Sequence, residues 1–266
     1  MGEGSEGFRR EDRLKPVRAT KAKRVKAADR TLDLFEAFGE TGRPLNLSEL
    51  ARAVQVPVSS CHSLVKTLSL RGYLVTAGAH RMYYPTRRLF DLARRILDRD
   101  PVLSKVRPAL EALRDQSGET VIVGKRLDDY VIYLDVIESA QTIRYSAEAS
   151  SLKPLHSSSM GKALLAALPD DELKQLVGRL ELKQITRNTI CSARKLLADV
   201  RAGRERGWQM TRGENVADVV AIASSVRLSG EDYAVAVAGP MERMEPALPR
   251  HAKALKAAID AMSAAR

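Results

Sequence analysis

The sequence lacks the residues and runs that mark several large classes of protein. It has only two cysteines, Cys61 and Cys191, too few for a disulfide framework, and its four histidines show no metal-ligand spacing. The sequence contains no apolar run of about 18 residues, the length needed to cross a membrane, and the charged N-terminus has no secretory signal. Aromatic residues are only 5% of the chain, which disfavours a base-stacking platform for single-stranded nucleic acid. We therefore expect a cytoplasmic protein with no membrane span, metal or cofactor.

Basic charge, in contrast, is abundant and uneven. The 266 residues carry a net charge of +11, and residues 1–100 hold 20 basic and 12 acidic side chains, which is +8 of that total. Such a basic N-terminal part favours a polyanionic partner, although a merely basic surface would give the same balance. Residues 1–24 mix charged residues and glycine with few apolar ones and are predicted to be a disordered basic arm. The length predicts about two domains.

Residues 25–85 show the apolar spacing of three helices followed by a hairpin. The positions that predict the inner face of the first helix are Val25, Ala28, Leu32 and Phe35. A second helix is predicted to begin at Ser48 as its N-cap, and a third to span residues 58–71. Residues 73–84 predict two short strands around a turn at 77–80. This order of elements is that of a winged helix-turn-helix domain.

The third predicted helix has a polar face opposite its apolar one. Short hydroxyl side chains, one histidine and one lysine recur there at helical spacing, and they suit base edges and phosphates in a major groove. A solvated helix face is the plainer alternative, but the preceding helix, the tight turn, the wing and the basic arm favour DNA contact. The predicted DNA-binding residues are Ser59, Ser60, His62, Ser63, Lys66 and Thr67 on the helix, with Arg81 on the wing.

The remaining residues predict a linker and a second domain. Residues 86–100 have the pattern of an amphipathic helix, ended by the Asp-Pro pair that follows. Its apolar face consists of Leu89, Leu92 and Ile96. Residues 101–266 then alternate predicted strands, including one at 142–147, with predicted helices. That alternation is typical of an α+β domain in which helices cover one sheet.

Several motifs, in the same order along the chain, resemble those of the IclR family of transcriptional regulators. They are Leu47-Ser48-Glu49-Leu50-Ala51, Ser59-Ser60-Cys61-His62, Gly72-Tyr73-Leu74, Pro154-Leu155-His156, Gly161-Lys162-Ala163-Leu164, Thr186-Arg187-Asn188-Thr189-Ile190, and Gly239-Pro240 with Arg243. The resemblance implies a winged-helix domain over 25–85, a linker helix over 86–100 and a GAF-like effector-binding domain over 101–266. It further implies a homodimer or dimer of dimers that binds palindromic double-stranded operator DNA.

The chain departs from the family pattern where DNA and ligand are expected. Val58 and Ser63 stand at positions of the third helix that are often basic in the family, so we expect the arm and Arg81 to supply more of the phosphate binding. In the C-terminal domain Ala221 stands where cysteine is common, and alanines replace the serines of a Ser-x-Ser-Gly-Pro segment. Ser150 replaces a glycine.

The resemblance places an effector pocket between a helix N-terminus and the last strands. Free backbone amides and the helix dipole at such an end attract a carboxylate. Alternation along residues 233–238 puts two alanines on one face, and a small hydrophilic acid would leave its oxygens unpaired against their methyl groups. We therefore expect a small organic acid with an aromatic or otherwise apolar body. The predicted effector-binding residues are Ser159, Met160, Thr211, Val219, Ala221, Ala236 and Ala238.

Other interpretations stay open from the sequence alone. The alanines could be ordinary core, with polar ligand contacts supplied by Ser150, His156 or Ser224. Ser159 and Lys162 fit the S-x-x-K pattern of serine-nucleophile hydrolases, although the companion motifs are absent. The C-terminal domain could also serve only for assembly in an architectural DNA-binding protein. We favour a ligand-responsive regulator that is not an enzyme, and repression over activation.

Overall fold

A computed structural model of the chain describes residues 25–77, 81–97 and 99–264. These residues form two compact units that divide between Asp100 and Pro101. The predicted arm and all but the first residue of the predicted hairpin turn lie outside the described residues. Within the described part of the chain, no helix is both long enough and apolar enough to span a bilayer.

The N-terminal unit consists of three helices, a two-stranded hairpin and a fourth helix. Its elements are α1 Lys26–Thr41, α2 Leu47–Ala53, α3 Val58–Leu70, β1 Leu74–Ala77, β2 Met82–Pro85 and α4 Arg87–Leu97. The first three helices and β1 share one core, in which Leu34, Phe38, Leu50, Val65 and Leu74 are buried. The two strands pair antiparallel and form the wing. The unit is thus a winged helix-turn-helix.

The buried face of α1 differs from the predicted one. Leu34 and Phe38 are buried there, whereas Val25 and Leu32 are 71% and 62% exposed. The helix carries two apolar stripes, and its packing against α2 and α3 uses the stripe that ends in Phe38. Of the four predicted residues Phe35 does pack against this core, and the prediction was wrong for Val25, Ala28 and Leu32. Spacing alone does not say which of two apolar stripes meets the neighbouring helices.

The start of α2 also differs from the prediction, because the N-cap is Asn46 and not Ser48. The Oδ1 atom of Asn46 accepts the amide of Glu49, and Oε2 of Glu49 accepts the amide of Asn46, both at 2.9 Å. This reciprocal pair is a capping box, which satisfies two donors at once. The helix therefore begins two residues earlier than the sequence pattern indicated.

The C-terminal unit is a six-stranded antiparallel sheet flanked by helices. Its elements are α5 Leu103–Ser117, β3 Thr120–Leu127, β4 Tyr130–Ile137, β5 Leu152–Pro154, α6 Ser159–Ala166, α7 Asp170–Arg179, α8 Ala193–Arg206, β6 Gln209–Arg212, β7 Val219–Leu228, β8 Glu231–Pro240, α9 Met241–Met244 and α10 Leu248–Ala264. The strands lie in the order β5-β4-β3-β8-β7-β6 across the sheet. The α+β class is therefore as predicted.

Different helices cover the two faces of this sheet. α5 and α10 share a core with Val121, Val235 and Val237. α6, α7 and α8 share a second core with Ile122 and Ala236. Successive side chains of a strand point to opposite faces, so the alanines at even positions of β8 all lie on the α6 side. A cavity opens in that second core.

The predicted strand at 142–147 is not a strand. The hydroxyl of Thr120 donates to the carbonyl of Tyr145 at 2.6 Å, and the guanidinium of Arg243 donates to the carbonyl of Ile143 at 2.8 Å. Side chains thus satisfy this backbone in place of a neighbouring strand. The sheet edge is formed by β5, which was not predicted because three residues are too short to show an alternating pattern.

Candidate DNA interface and ligand cavity

The outer face of α3 carries every helix residue predicted to meet DNA, and all of them are exposed: Ser59, Ser60, His62, Ser63, Lys66 and Thr67. The inner face, with Cys61 and Val65, is buried. Within the helix, the Thr67 hydroxyl donates to the carbonyl of Ser63 at 2.9 Å. The helix contains no acidic residue and presents a cation together with short polar side chains to solvent. Such a face suits a major groove, and its contact with DNA stays a prediction.

Arg81 lies at the start of the returning strand of the wing and is exposed. Its backbone has a φ of 49°, in the left-handed region that is common for turn residues. This exposed position leaves Arg81 accessible to a phosphate, and its contact with DNA stays a prediction. Residues 78–80 of the predicted turn lie outside the described part of the chain.

A narrow cavity of about 30 Å³ lies between the start of α6 and one face of the sheet. This volume has room for one or two water molecules. The lining residues are Ile122, Tyr133, Tyr145, Ser157, Ser158, Ser159, Met160, Thr211, Asn215, Val216, Val219, Ala221, Ala236 and Ala238. Every residue that the sequence predicted for effector binding is among them. The structure therefore brings the predicted residues together, while ligand binding by them stays a prediction.

The part of the cavity wall that β7 and β8 form is lined by methyl groups, whereas Tyr133 of β4 and Thr211 of β6 add polar side chains to the sheet side. Ala221 of β7 lies opposite Ala238 of β8 in the antiparallel register, and Ser224 lies opposite Val235. Ser224 therefore belongs to the other face, where its hydroxyl donates to the carbonyl of Gly207 at 2.9 Å. The alternative that Ser224 supplies a polar ligand contact is wrong for this cavity.

The N-terminus of α6 closes one end of the cavity. Ser158 is the N-cap and accepts the amide of Gly161 at 3.5 Å. A side chain at Gly161 would run into the backbone of Leu155, so only glycine lets the helix start this close to the preceding segment. The amides of Ser159 and Met160 have no hydrogen-bond acceptor among the described residues. They are donors available to an anion.

Five polar residues beside this helix end were not predicted: Tyr133, Tyr145, Ser157, Ser158 and Asn215. The Asn215 side-chain amide donates to the hydroxyl of Ser157 at 3.1 Å. Burial, followed by the neighbouring Tyr145 hydroxyl, raises the pKa of the Tyr133 phenol, so this group stays protonated and can donate. The alternation of β4 could have placed Tyr133 on the cavity face, but no sequence signal marks Asn215, which lies in a loop.

His156 and Ser150, the other polar residues considered, do not line the cavity. The Nε2 atom of His156 is 2.9 Å from the carbonyl of Lys183, and burial lowers the pKa of its imidazole. Ser150 has a φ of 67°, which explains why glycine suits this position. Both residues shape the loops that lead into α6.

Two family models match the chain. The IclR helix-turn-helix domain matches residues 27–78, and the model described as bacterial transcriptional regulator IclR C-terminal matches residues 94–264. The chain belongs to the IclR family of transcriptional regulators. It is therefore a DNA-binding regulator with a C-terminal effector-binding domain, and the IclR family is not a family of enzymes.

Individual IclR-family proteins resemble the chain over most of its length. The probable transcriptional regulator SauR of Cupriavidus necator is 30% identical over 220 residues, 82% of this chain and 87% of that protein. The transcriptional repressor IclR of Escherichia coli is 28% identical over 224 residues, 83% of this chain and 82% of that one. An IclR homolog from Microbacterium hydrocarbonoxydans, solved in complex with 4-hydroxybenzoate, has a TM-score of 0.74 at 21% identity and covers 90% of this chain and 98% of its own. At that identity the likeness shows the shared fold alone.

The S-x-x-K segment of this IclR-family chain has a structural role. The Nζ atom of Lys162 lies 2.7 Å from Oδ2 of Asp199 and 2.7 Å from Oε1 of Glu214, and its side chain is fully buried. The same Nζ atom donates to the carbonyl of Met210 at 3.3 Å, and among the described residues it makes no hydrogen bond with the Ser159 hydroxyl that it would have to activate. The geometry thus agrees with the family in setting aside the hydrolase interpretation.

Proposed function

We propose that this IclR-family chain is a repressor that binds a palindromic operator and is controlled by an organic acid with an aromatic or otherwise apolar body. The observation that carries the ligand class is the arrangement of the cavity, with methyl groups along one wall and neutral donors at one end. The relative from Escherichia coli is named a repressor, and this supports the direction of control. Such a protein acts on the chromosome, in the cytoplasm.

The apolar wall favours an apolar ligand body. Ala221, Ala236 and Ala238 offer no hydrogen bond, so each ligand oxygen held against them would cost about 1–3 kcal/mol. The Microbacterium homolog binds 4-hydroxybenzoate, a molecule of the class that we propose here. A hydrocarbon ring against the alanines removes apolar surface from water and leaves no polar atom unpaired.

The polar end of the cavity favours a carboxylate. The free amides of Ser159 and Met160 point outward from the N-terminus of α6, where the helix dipole adds a partial positive charge. None of the described residues that line the cavity is a lysine or arginine. The carboxylate would therefore be held by neutral donors, and we expect moderate rather than very tight binding.

Calorimetric titration tests the ligand class. We expect benzoate and 4-hydroxybenzoate to bind the full chain more tightly than glyoxylate and pyruvate. Ala238→Ser should weaken binding of 4-hydroxybenzoate by about 1–3 kcal/mol, because the new hydroxyl would face the ring unpaired. Ala234→Ser is the matched control, since Ala234 lies on the same strand and face but outside the cavity lining. Binding of the small acids alone, or an unchanged affinity in Ala238→Ser, would contradict the proposal.

Repression at a palindrome also requires two-fold symmetry, and the N-terminal unit offers an apolar surface for it. Val25, which precedes α1, Leu32 of α1, and Phe90, Ile96 and Leu97 of α4 are each more than half exposed. No residue of α4 is buried. We propose that the apolar side chains of α4 join two protomers, with the C-terminal units able to join dimers into tetramers. A helix that leaves several large apolar side chains exposed is expected to be covered by a partner.

Light scattering tests the assembly. The full chain should be a dimer or a tetramer at micromolar concentration, and Phe90→Glu with Ile96→Glu should reduce its mass by about half. Leu127→Glu, at an exposed apolar residue of the C-terminal unit, is the control. A monomeric wild-type chain at this concentration would rule out the proposed dimer.

A further inference from the structure

The loop at residues 213–218 forms one wall of the cavity and is held at both ends. At its far end the carbonyl of Val219 accepts the amide of Gly213 at 2.8 Å, and the carbonyl of Asp218 accepts the amide of Met241 at 2.9 Å. Gly213 has a φ of 64°, and a side chain there would run into the carbonyl of Ala217. The Thr186 hydroxyl donates to the carbonyl of Gly213 at 2.6 Å, and the Thr189 hydroxyl donates to the carbonyl of Glu214 at 2.7 Å. The ammonium of buried Lys162 holds the side chain of Glu214. Residues 213 and 214 are thus a fixed point.

Between these two ends the loop is lightly held. Among the backbone groups of residues 215–217, the described chain gives a hydrogen bond only to the carbonyl of Val216, which accepts the amide of Val219 at 3.2 Å. The only side-chain hydrogen bond of residues 215–218 within the described chain runs from Asn215 to Ser157. Val216 lines the cavity and is 41% exposed, so it lies between the cavity and solvent. Ser157, by contrast, is fully buried. One bond between a loop and a fixed helix end therefore closes this side of the cavity.

The cavity is too small for an aromatic ligand, so a wall has to move before the ligand can enter, and the loop is the wall best able to do so. A space of about 30 Å³ is far below the roughly 150 Å³ of a core cavity that accepts benzene. The other lining residues lie in α6 and the two serines before it, in the paired strands β3, β4, β6, β7 and β8, and at Tyr145, whose backbone carbonyl accepts the Thr120 hydroxyl. A displacement of residues 215–217 would enlarge the cavity without breaking a strand pair or the bond between Met241 and Asp218.

We propose that Asn215 is a specificity-determining residue, which closes the empty cavity through Ser157 and transfers its amide donor to the ligand carboxylate when residues 215–217 open. The proposal rests on the proposed function, since it assumes an acid in this cavity. The side chain of Asn215 then contacts the ligand carboxylate in addition to the amides of Ser159 and Met160, and it does so from the part of the wall that moves. A bound ligand then changes the position of the loop. Because Asn215 contacts the ligand only when the loop is open, the ligand binds the open state more tightly, as a population shift requires.

The charge of residue 215 gives a sharp test of the contact. Asn215→Asp replaces a donor by a carboxylate next to the ligand carboxylate, and like charges repel strongly where water is excluded. We expect this variant to weaken binding of 4-hydroxybenzoate at least tenfold, by calorimetry, while changing binding of the uncharged 4-hydroxybenzamide less than threefold. Asn215→Ala should weaken binding of the acid by about fivefold, because it removes a charge-assisted bond to the carboxylate together with the weaker neutral bond to Ser157 that competes with it in the empty cavity. Equal losses for acid and amide in Asn215→Asp would overturn the proposal.

Closure is tested without any ligand, by hydrogen exchange with mass spectrometry on the full chain. The amides of Gly213 and Val219, which donate to the carbonyls of Val219 and Val216 across this loop, should exchange about fivefold faster in Asn215→Ala than in wild type. Gln184→Ala, which removes an exposed amide elsewhere in the same unit, should leave them unchanged. Unchanged exchange in Asn215→Ala would overturn the closing role.

The two tests separate this inference from the proposed function. If glyoxylate or pyruvate binds in place of the aromatic acids, the alanine-wall argument fails, and Asn215→Asp is compared on that acid against its uncharged amide. If no acid binds wild type, the proposed function and the carboxylate contact both fail, while the exchange result still decides whether Asn215 closes the cavity.

Discussion

Replacing Lys162 with methionine should lower the free energy of unfolding by about 3–5 kcal/mol, the usual loss when one partner of a buried ion pair is removed. Lys162 is fully buried, and its ammonium lies 2.7 Å from carboxylate oxygens of both Asp199 and Glu214. Methionine fills a similar volume but leaves the carboxylate of Glu214 buried without its cation. Urea unfolding of the full chain, followed by circular dichroism, measures the loss.

The loss in free energy of unfolding that Lys162→Met causes should grow as the pH increases. Burial already raises the pKa of Glu214, against the opposing effect of Lys162. Without that cation the pKa of Glu214 in the folded state rises further. The folded variant then keeps a proton on Glu214 at pH values where the unfolded chain has released it. A carboxyl whose folded pKa is raised loses stability as pH increases from its unfolded pKa towards its folded one. Unfolding at pH 8 should therefore show a larger loss than unfolding at pH 5.

Two companion variants isolate the cause. Lys174→Met, at an exposed lysine of α7 near Asp171, should change stability by no more than about 0.5 kcal/mol. Adding Glu214→Gln to Lys162→Met removes the stranded charge and should restore part of the loss. Wild-type stability of Lys162→Met at pH 8 would show that the ion pairs do not hold α6 and the loop together.

The same lysine shows what sequence patterns could and could not predict. The S-x-x-K spacing was visible, but the partners of Lys162 come from positions 37 and 52 residues later, in α8 and in a loop. Periodicity reports neighbours along one element and is silent on side chains that meet across the fold. For that reason a buried ion pair looked like a possible catalytic motif.

The candidate cavity was predictable where it depends on strand alternation and not where it depends on loops. Alternation along β8 placed Ala236 and Ala238 on one face, and the antiparallel register brings Ala221 beside them. Asn215 reaches the cavity only because Gly213 adopts a left-handed turn and two threonines hold the loop. Nothing in the spacing of Asn215 from other residues indicates this position.

The second large expected effect is a loss of operator preference when the predicted DNA-binding face of α3 is changed. His62→Ala combined with Ser63→Ala should reduce the preference for the operator over unrelated DNA by about 1–3 kcal/mol for each base that the helix no longer recognises. Both side chains lie on the exposed face of α3, opposite the buried residues Cys61 and Val65. Because neither change touches the core, the melting temperature should stay close to that of wild type. The operator is first recovered by sequencing DNA fragments that the full chain retains.

Lys66 should behave differently from its two neighbours on the same face. As a point charge it would neutralise a phosphate, so Lys66→Gln should weaken binding to operator and unrelated DNA alike. The slope of log affinity against log salt should fall by about 0.9 for the one phosphate that is no longer neutralised. Lys256→Gln, at an exposed lysine of α10, changes the net charge equally and should leave the slope unchanged. An equal slope change in both lysine variants would mean that overall charge, and not the α3 face, binds the phosphates.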